Sequence, residues 1–237
     1  MIRTTADGAV RVVTLDRPDR RNALRPADLD ELAAAVAGAD PETTPVVYLR
    51  GAGGHFSAGA DLDSVAALDD PEAFARRGQR VANAIADAPV TVVAGIDGAA
   101  RGGGVELALA CDVRVATPHA TFAEPGVRFG LFGAWGGTVR LPRIVGEGEA
   151  LDFALSGRVV DAAEARRMGL VSRVVDDPRS VADEIAANRP DALRAVKARL
   201  RDDADDETRE RAEAEAFARL HGRYADEIRE VRDGRGG

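Results

Sequence analysis

The chain has only one cysteine and one lysine in 237 residues. The single cysteine, Cys111, excludes an intramolecular disulfide and fits a reducing compartment. It sits in an Ala-Leu-Ala run and reads as a small core residue. The single lysine, Lys197, follows Ala-Val, which excludes a GxxxxGK phosphate loop and leaves any Schiff-base mechanism to that one residue. Histidine is scarce too. His55, His119 and His221 lie apart, with no carboxylate at ligand spacing, so no metal site is expected. No apolar run reaches the roughly 18 residues of a membrane span. The opening MIRTTADG lacks the apolar stretch of a secretion signal, so a soluble, cytoplasmic protein with no membrane partner is expected. Basic charge is also in deficit, 32 residues against 40 acidic ones, and the net charge of -8 argues against a nucleic-acid partner.

What is present is a globular composition, 45% hydrophobic and 30% charged, long enough for one large domain or a main domain with a small appendage. Ile2–Thr5 and Val10–Leu15 read as strands joined at Asp7-Gly8, a hairpin turn signal. Pro26 opens a helix to about Ala39, and Val46–Leu49 is a buried strand running into a glycine-rich loop, Gly51–Asp61. A second helix starts at Asp70-Pro71. Val90–Ala94 is a strand that feeds another glycine loop, and short strands follow at Val113–Ala116, Thr121–Ala123 and Val171–Val175. Helices are expected at Glu147–Ser156 and Ala162–Met168, and from Val181 onward the pattern is helical and highly charged. In open α/β architectures, ligands gather where such loops leave the carboxyl ends of strands.

The second glycine loop carries the densest signal, Ala100-Arg101-Gly102-Gly103-Gly104-Val105-Glu106-Leu107-Ala108-Leu109-Ala110-Cys111-Asp112. Consecutive glycines let a main chain turn sharply and approach something closely, and the helix-forming run after them puts the glycines at a helix N-terminus, where unpaired N–H groups face outward. Glu106 lies three residues after Gly103, on nearly the same helix face, and a carboxylate in a first turn is favoured in its ionised form. The arrangement reads either as an anion-stabilising N–H with a base close by or as an ordinary glycine turn with a solvated glutamate. In the first loop, Asp61 reads as a helix N-cap. His55 rather than glycine stands two residues before Ser57, so the loop is no nucleophile elbow.

Taken together, LDRPDRRNAL, FSAGADL, GGGVELALACD, GGTVRLPRIVG and SGRVVDAAEARRMGLV, in this order, resemble the crotonase superfamily of enoyl-CoA hydratases and isomerases, over roughly Val12 to Val175. The resemblance implies an α/β fold, a spiral of ββα units forming two sheets, with a crotonase core at 1–180 and a helical C-terminal region at 181–237 that joins subunits into trimers or paired trimers. It implies an oxyanion hole from the N–H groups of Ala60 and Gly103, and coenzyme A contacts along Ala23, Ala58, Ala60, Asp61, Leu62 and Asp63. Arg20 and Arg21 suit the phosphates. Coenzyme A enters as part of an acyl-CoA substrate, and no separate cofactor is implied.

Glu106 falls on the first catalytic glutamate of the hydratases. The second should align with Gly126 and is missing. Glu124 then either reaches the same pocket from two residues away or lies on the surface. Glycine at that position also occurs in naphthoyl-CoA synthases, where bicarbonate is thought to replace the acid, but these carry Asp where this chain has Gly133. Phe132 and Trp135 either line the acyl pocket or pack in the core. The expected function is hydration of a 2-enoyl-CoA through a stabilised thioester enolate. Double-bond isomerisation by one carboxylate and acyl-CoA binding without turnover are the alternatives.

Overall fold

The computed structural model describes residues 1–233. Strands β1 (Ile2–Asp7) and β2 (Val10–Leu15) form the expected hairpin, and helix α1 (Pro26–Ala37) follows. Three rounds of one motif come next. The first is β3 (Val46–Gly51), β4 (His55–Ser57) and helices α2 (Leu62–Ala66) and α3 (Pro71–Ala86). The second is β5 (Thr91–Ile96), β6 (Ala99–Arg101) and α4 (Gly103–Ala110). The third is β7 (Val113–Ala116), β8 (Thr121–Ala123), a 3-10 turn at Pro125–Phe129 and α5 (Gly137–Val145). Then come α6 (Glu147–Ser156), β9 (Val160–Asp161), α7 (Ala162–Arg167), β10 (Arg173–Val174) and α8 (Arg179–Ala186). These complete a compact unit, Met1–Ala187. A second unit, Asn188–Gly237, holds α9 (Pro190–Leu200) and α10 (Asp206–Arg232).

In each round the first strand joins a six-stranded sheet, ordered β1-β2-β3-β5-β7-β10, and the second strand joins a four-stranded sheet, ordered β4-β6-β8-β9. All pairings are parallel except β1 with β2 and β8 with β9. The spiral of ββα units is therefore the observed architecture. The central strands are buried on both faces, which is why they read as unbroken apolar runs rather than alternating ones. Val47, Leu49, Val92 and Ala94 join Leu29, Leu32, Val81 and Ile85 of α1 and α3 in the main core. Helix α8 lies on β2 and β3, burying Val181 and Ala182. The division of the chain accordingly falls at Ala187/Asn188. Among the described residues no helix is long and apolar enough to cross a membrane.

Asp61 is the N-cap expected of it, and one further helix, α5, goes beyond the sequence reading. Helix α2 is a short segment capped by Asp61, whose carboxylate accepts from the Ser64 N–H at 3.0 Å. Helix α5 opens on Gly136-Gly137 and contains Pro142, which reads locally as a loop. Packing against α4 and α6, with Leu141 buried, makes it a helix.

Trp135 does not line an acyl pocket. It is buried between α3 and α4, edge-on to Phe74 with ring centroids 5.8 Å apart. A Cβ added at Gly78 would stand 2.0 Å from its Cδ1, and one added at Gly103 2.3 Å from its Cζ3. The glycines leave the volume that the indole fills. Trp135→Ala removes this wedge and is expected to cost about 3–5 kcal/mol of stability, measured by urea unfolding.

Candidate active site

The strand ends of the four-stranded sheet bring three remote segments together. Asn22 staples the first of them. Its buried amide donates to the carbonyls of Ala52 (2.9 Å), His55 (2.8 Å) and Phe56 (3.3 Å), and its Oδ1 accepts from the Arg17 N–H at 3.0 Å. Arg21 and Asn22 hold φ values of 50° and 58°, a conformation that L side chains adopt rarely and that this amide network maintains. The turn lays LDRPDRRNAL against the loop after β4.

In that loop the main-chain donors are nearly all taken. The Ala58 N–H donates to Arg21 O, the Gly59 N–H to Ser57 Oγ and the Asp61 N–H to Leu24 O. Ala60 keeps its N–H, with no partner in the chain among the described residues. Across from it, the Gly102 N–H donates to Ala123 O, while the Gly103 N–H, at the first position of α4, has no partner among the described residues. The two segments touch. A Cβ on Gly59 would lie 2.7 Å from Gly103 N, and one on Gly104 2.4 Å from Ser57 O. Only glycine permits this approach, and it places the two spare donors in one corner.

Glu106 lies one turn into α4 and is 2% exposed. Its Oε1 accepts from the N–H groups of Trp135 and Gly137, both at 2.7 Å, the second being the first residue of α5. A Cβ at Gly133 would come within 2.8 Å of the Glu106 carboxyl carbon, and one at Gly137 within 2.8 Å of Oε1. Burial pushes the Glu106 carboxyl up to about 7, against the opposing pull of the Gly137 and Trp135 N–H groups and of Arg140. This corrects the expectation of a first-turn carboxylate held ionised by the helix dipole, because desolvation outweighs the dipole at this depth. The solvated alternative is excluded by the same burial.

Glu124, the residue after β8, is buried and not on the surface. It is 8% exposed, its Oε2 is buried without a hydrogen-bond partner, and it lines an apolar cavity of about 230 Å³ with Phe132, Gly133, Gly137, Leu141 and Leu155. Burial, and then the neighbouring charge of Glu106, push its carboxyl up to about 8. Phe132, 68% exposed, forms part of the wall of this cavity.

The other expected contacts divide. Arg20 and Arg21 are exposed at the Asn22 turn, with Arg20 3.5 Å from Asp63. Leu62 and Asp63 are exposed, and Ala23 is buried in the turn with its N–H donating to Arg20 O. Asp61 is withdrawn. Its carboxylate pairs with Arg17 at 2.7 Å and caps α2, so neither it nor its N–H remains for a ligand. One basic residue was missed, Arg101. Half-buried in β6 and fixed by Thr121 O (2.7 Å) and Thr121 Oγ1 (2.9 Å), it feels the positive charge of Arg21. Its place directly before the glycine run was the available signal.

The family model for enoyl-CoA hydratase/isomerase matches residues 5–234 of this chain. A protein of Rhizobium meliloti (strain 1021) described as a "Probable enoyl-CoA hydratase" is 38% identical over 181 residues, covering 76% of this chain and 70% of its own. A "Short-chain-enoyl-CoA hydratase" of Clostridium acetobutylicum is 34% identical over 201 residues, covering 81% and 77%. Among solved structures, an enoyl-CoA hydratase subunit from Geobacillus kaustophilus HTA426 superposes with a TM-score of 0.90 at 31% identity, over 99% of this chain and 95% of that one.

The two raised carboxyls predict a pH effect on stability. The folded chain retains protons up to about 7 and 8 that an unfolded glutamate releases near 4.5, so the folded state binds more protons in that window. Stability contributed below 4.5 is lost as pH rises through 7 and 8. Thermal melts of wild type and Glu124→Gln across this range are expected to diverge, with the wild type losing ground as pH rises.

Proposed function

Since this chain belongs to the enoyl-CoA hydratase/isomerase family, we propose that it catalyses the reversible addition of water to a 2-enoyl-CoA thioester, with the carbonyl oxygen held by the Ala60 and Gly103 N–H groups and Glu106 acting on the water. The observation that carries this reading is the pair of unspent main-chain donors in a loop whose other N–H groups are consumed, with a buried carboxyl on the same helix.

The chemistry follows from where charge develops. Attack of water at C3 pushes electrons onto the thioester oxygen, and fixed N–H dipoles aimed at that oxygen stabilise the enolate without reorganising. Loss of one such donor typically costs about 10²–10³ in kcat. Glu106 must accept a proton from water, and a carboxyl titrating near neutrality is poised for this. The two N–H bonds on its Oε1 fix the side chain and leave Oε2 for the exchange. The acyl chain extends into the apolar cavity past Phe132. At the other end, Arg20 and Arg21 meet the phosphates of coenzyme A, joined by the charge of Arg101, while Ala23, Ala58, Leu62 and Asp63 border its path.

The exposure of the apolar residues Phe217, Ile228 and Val231 in the second unit supports assembly into trimers or paired trimers, which would cover them. The single, buried Cys111 fits a cytoplasmic protein.

The test is Glu106→Gln, which keeps the side-chain volume and an oxygen for the Trp135 and Gly137 donors. Purified wild type is expected to bleach the enoyl absorbance of a short 2-enoyl-CoA with a mass gain of one water. The variant should lose about 10²–10⁴ in kcat with KM little changed. A product with a moved double bond and no added mass would assign isomerisation instead. A wild type that binds CoA thioesters but turns over none would make the protein a binding module.

A further inference from the structure

We propose that Glu124 is the second proton-transferring group of this site, supplying from residue 124 the carboxyl that residue 126 cannot carry. The inference rests on the hydration reading above.

The main chain explains why the acid is not at 126. The segment Leu131–Phe132 closes on Gly126, with the Leu131 N–H donating to Gly126 O at 3.0 Å. A Cβ on Gly126 would stand 3.0 Å from Leu131 O and 3.0 Å from Phe132 Cα. Both are backbone atoms, so any side chain there requires the loop itself to yield. A Cβ at 126 fits only if that backbone gives by a few tenths of an ångström, and the carboxyl that lines the cavity is that of Glu124.

Glu124 is poorly explained as a structural residue. A carboxyl this deeply buried is costly unless its oxygens are satisfied, yet Oε2 bonds to nothing while lining an apolar cavity. Among the described residues no cation pairs with it, and the charge that acts on it is the like charge of Glu106 from α4, which Arg140 of α5 partly offsets at Glu106 itself. Two neighbouring carboxyls of this kind share a proton. Glu106, with two N–H donors on Oε1, is the partner suited to ionise, and Glu124, with none on Oε2, is the one suited to stay protonated.

The steps balance. Glu106 takes a proton from water as the water oxygen bonds to C3, and the C2=C3 electron pair shifts to place an enolate oxygen between the Ala60 and Gly103 donors. Glu124 gives its proton to C2 as the enolate collapses and the thioester carbonyl re-forms. The proton gained by Glu106 then returns to Glu124, so the net change is one H and one OH across C2=C3.

The experiment compares wild type with Glu124→Gln, an isostere of the protonated side chain, in hydration of a short 2-enoyl-CoA across pH 5 to 10, a range on the order of that bracketing the two carboxyl values. Wild type is expected to give a bell-shaped profile. The variant should lose about 10²–10³ in kcat with KM within a few-fold, and the fall on the alkaline side should vanish because no protonated Glu124 remains to be lost. Glu124→Asp, which keeps the acid on a shorter arm, should recover part of the rate and the alkaline fall. A thermal melt at pH 6 verifies that both variants are folded. If Glu124→Gln hydrates at the wild-type rate with an unchanged profile, Glu124 is not the second group, and the hydration reading survives. The proposal also falls if the rate drops while the profile keeps its alkaline limb, since that marks a packing role. A wild type that adds no water overturns both readings together.

Discussion

The site depends on main-chain segments approaching more closely than any side chain would allow. Gly59 and Gly104 let the loop after β4 press against the start of α4, and Gly133 and Gly137 let the segment around Trp135 close over the carboxyl of Glu106. None of these contacts is strong in itself. Their effect is positional: with the glycine Cβ positions empty, two N–H groups are left without partners beside a buried acid, and two others converge on one of its oxygens. Trp135 joins the two halves, because its indole fills the space over Gly103 and Gly78 while its own N–H holds Glu106.

The electrostatics follow from this closure. A carboxylate at a helix N-terminus in water gains from the dipole about 0.3–1 kcal/mol, which is small against the desolvation of a group with 2% of its surface exposed. Burial therefore decides, and it raises Glu106 and Glu124 together. The fold maintains two buried like groups, Glu124 on an apolar cavity and Glu106 under the main chain around Trp135, at some expense in stability. Such an arrangement is common where a protein needs proton transfer near neutral pH.

Much of this was legible in the residues. The apolar runs of β3 and β5, the Asp7-Gly8 hairpin and the capped helices α1, α3 and α7 are local patterns, and they fell close to their expected bounds. Five motifs in order carried the family and, with it, the candidate roles of Ala60, Gly103 and Glu106. Helix α5 was not legible, because Gly136-Gly137 and Pro142 deny it any local helical signature and only packing against α4 and α6 forms it. Trp135 was ambiguous for a related reason: an aromatic after glycines suits either a pocket or a wedge, and the choice lies with Gly78, some 57 positions upstream.

By itself, then, the sequence determined the order of elements, the family likeness and the glycine-flanked glutamate, since each rests on neighbours within one or two turns. Tertiary structure alone decided that Glu106 is buried and near neutrality in its titration, that Asp61 is occupied by Arg17, and that Glu124 faces the cavity while Gly126 lies under Leu131 and Phe132. These are matters of which remote backbone covers which side chain. Desolvation and close contact are set by distance in space, and nothing in the local spacing of residues records that distance.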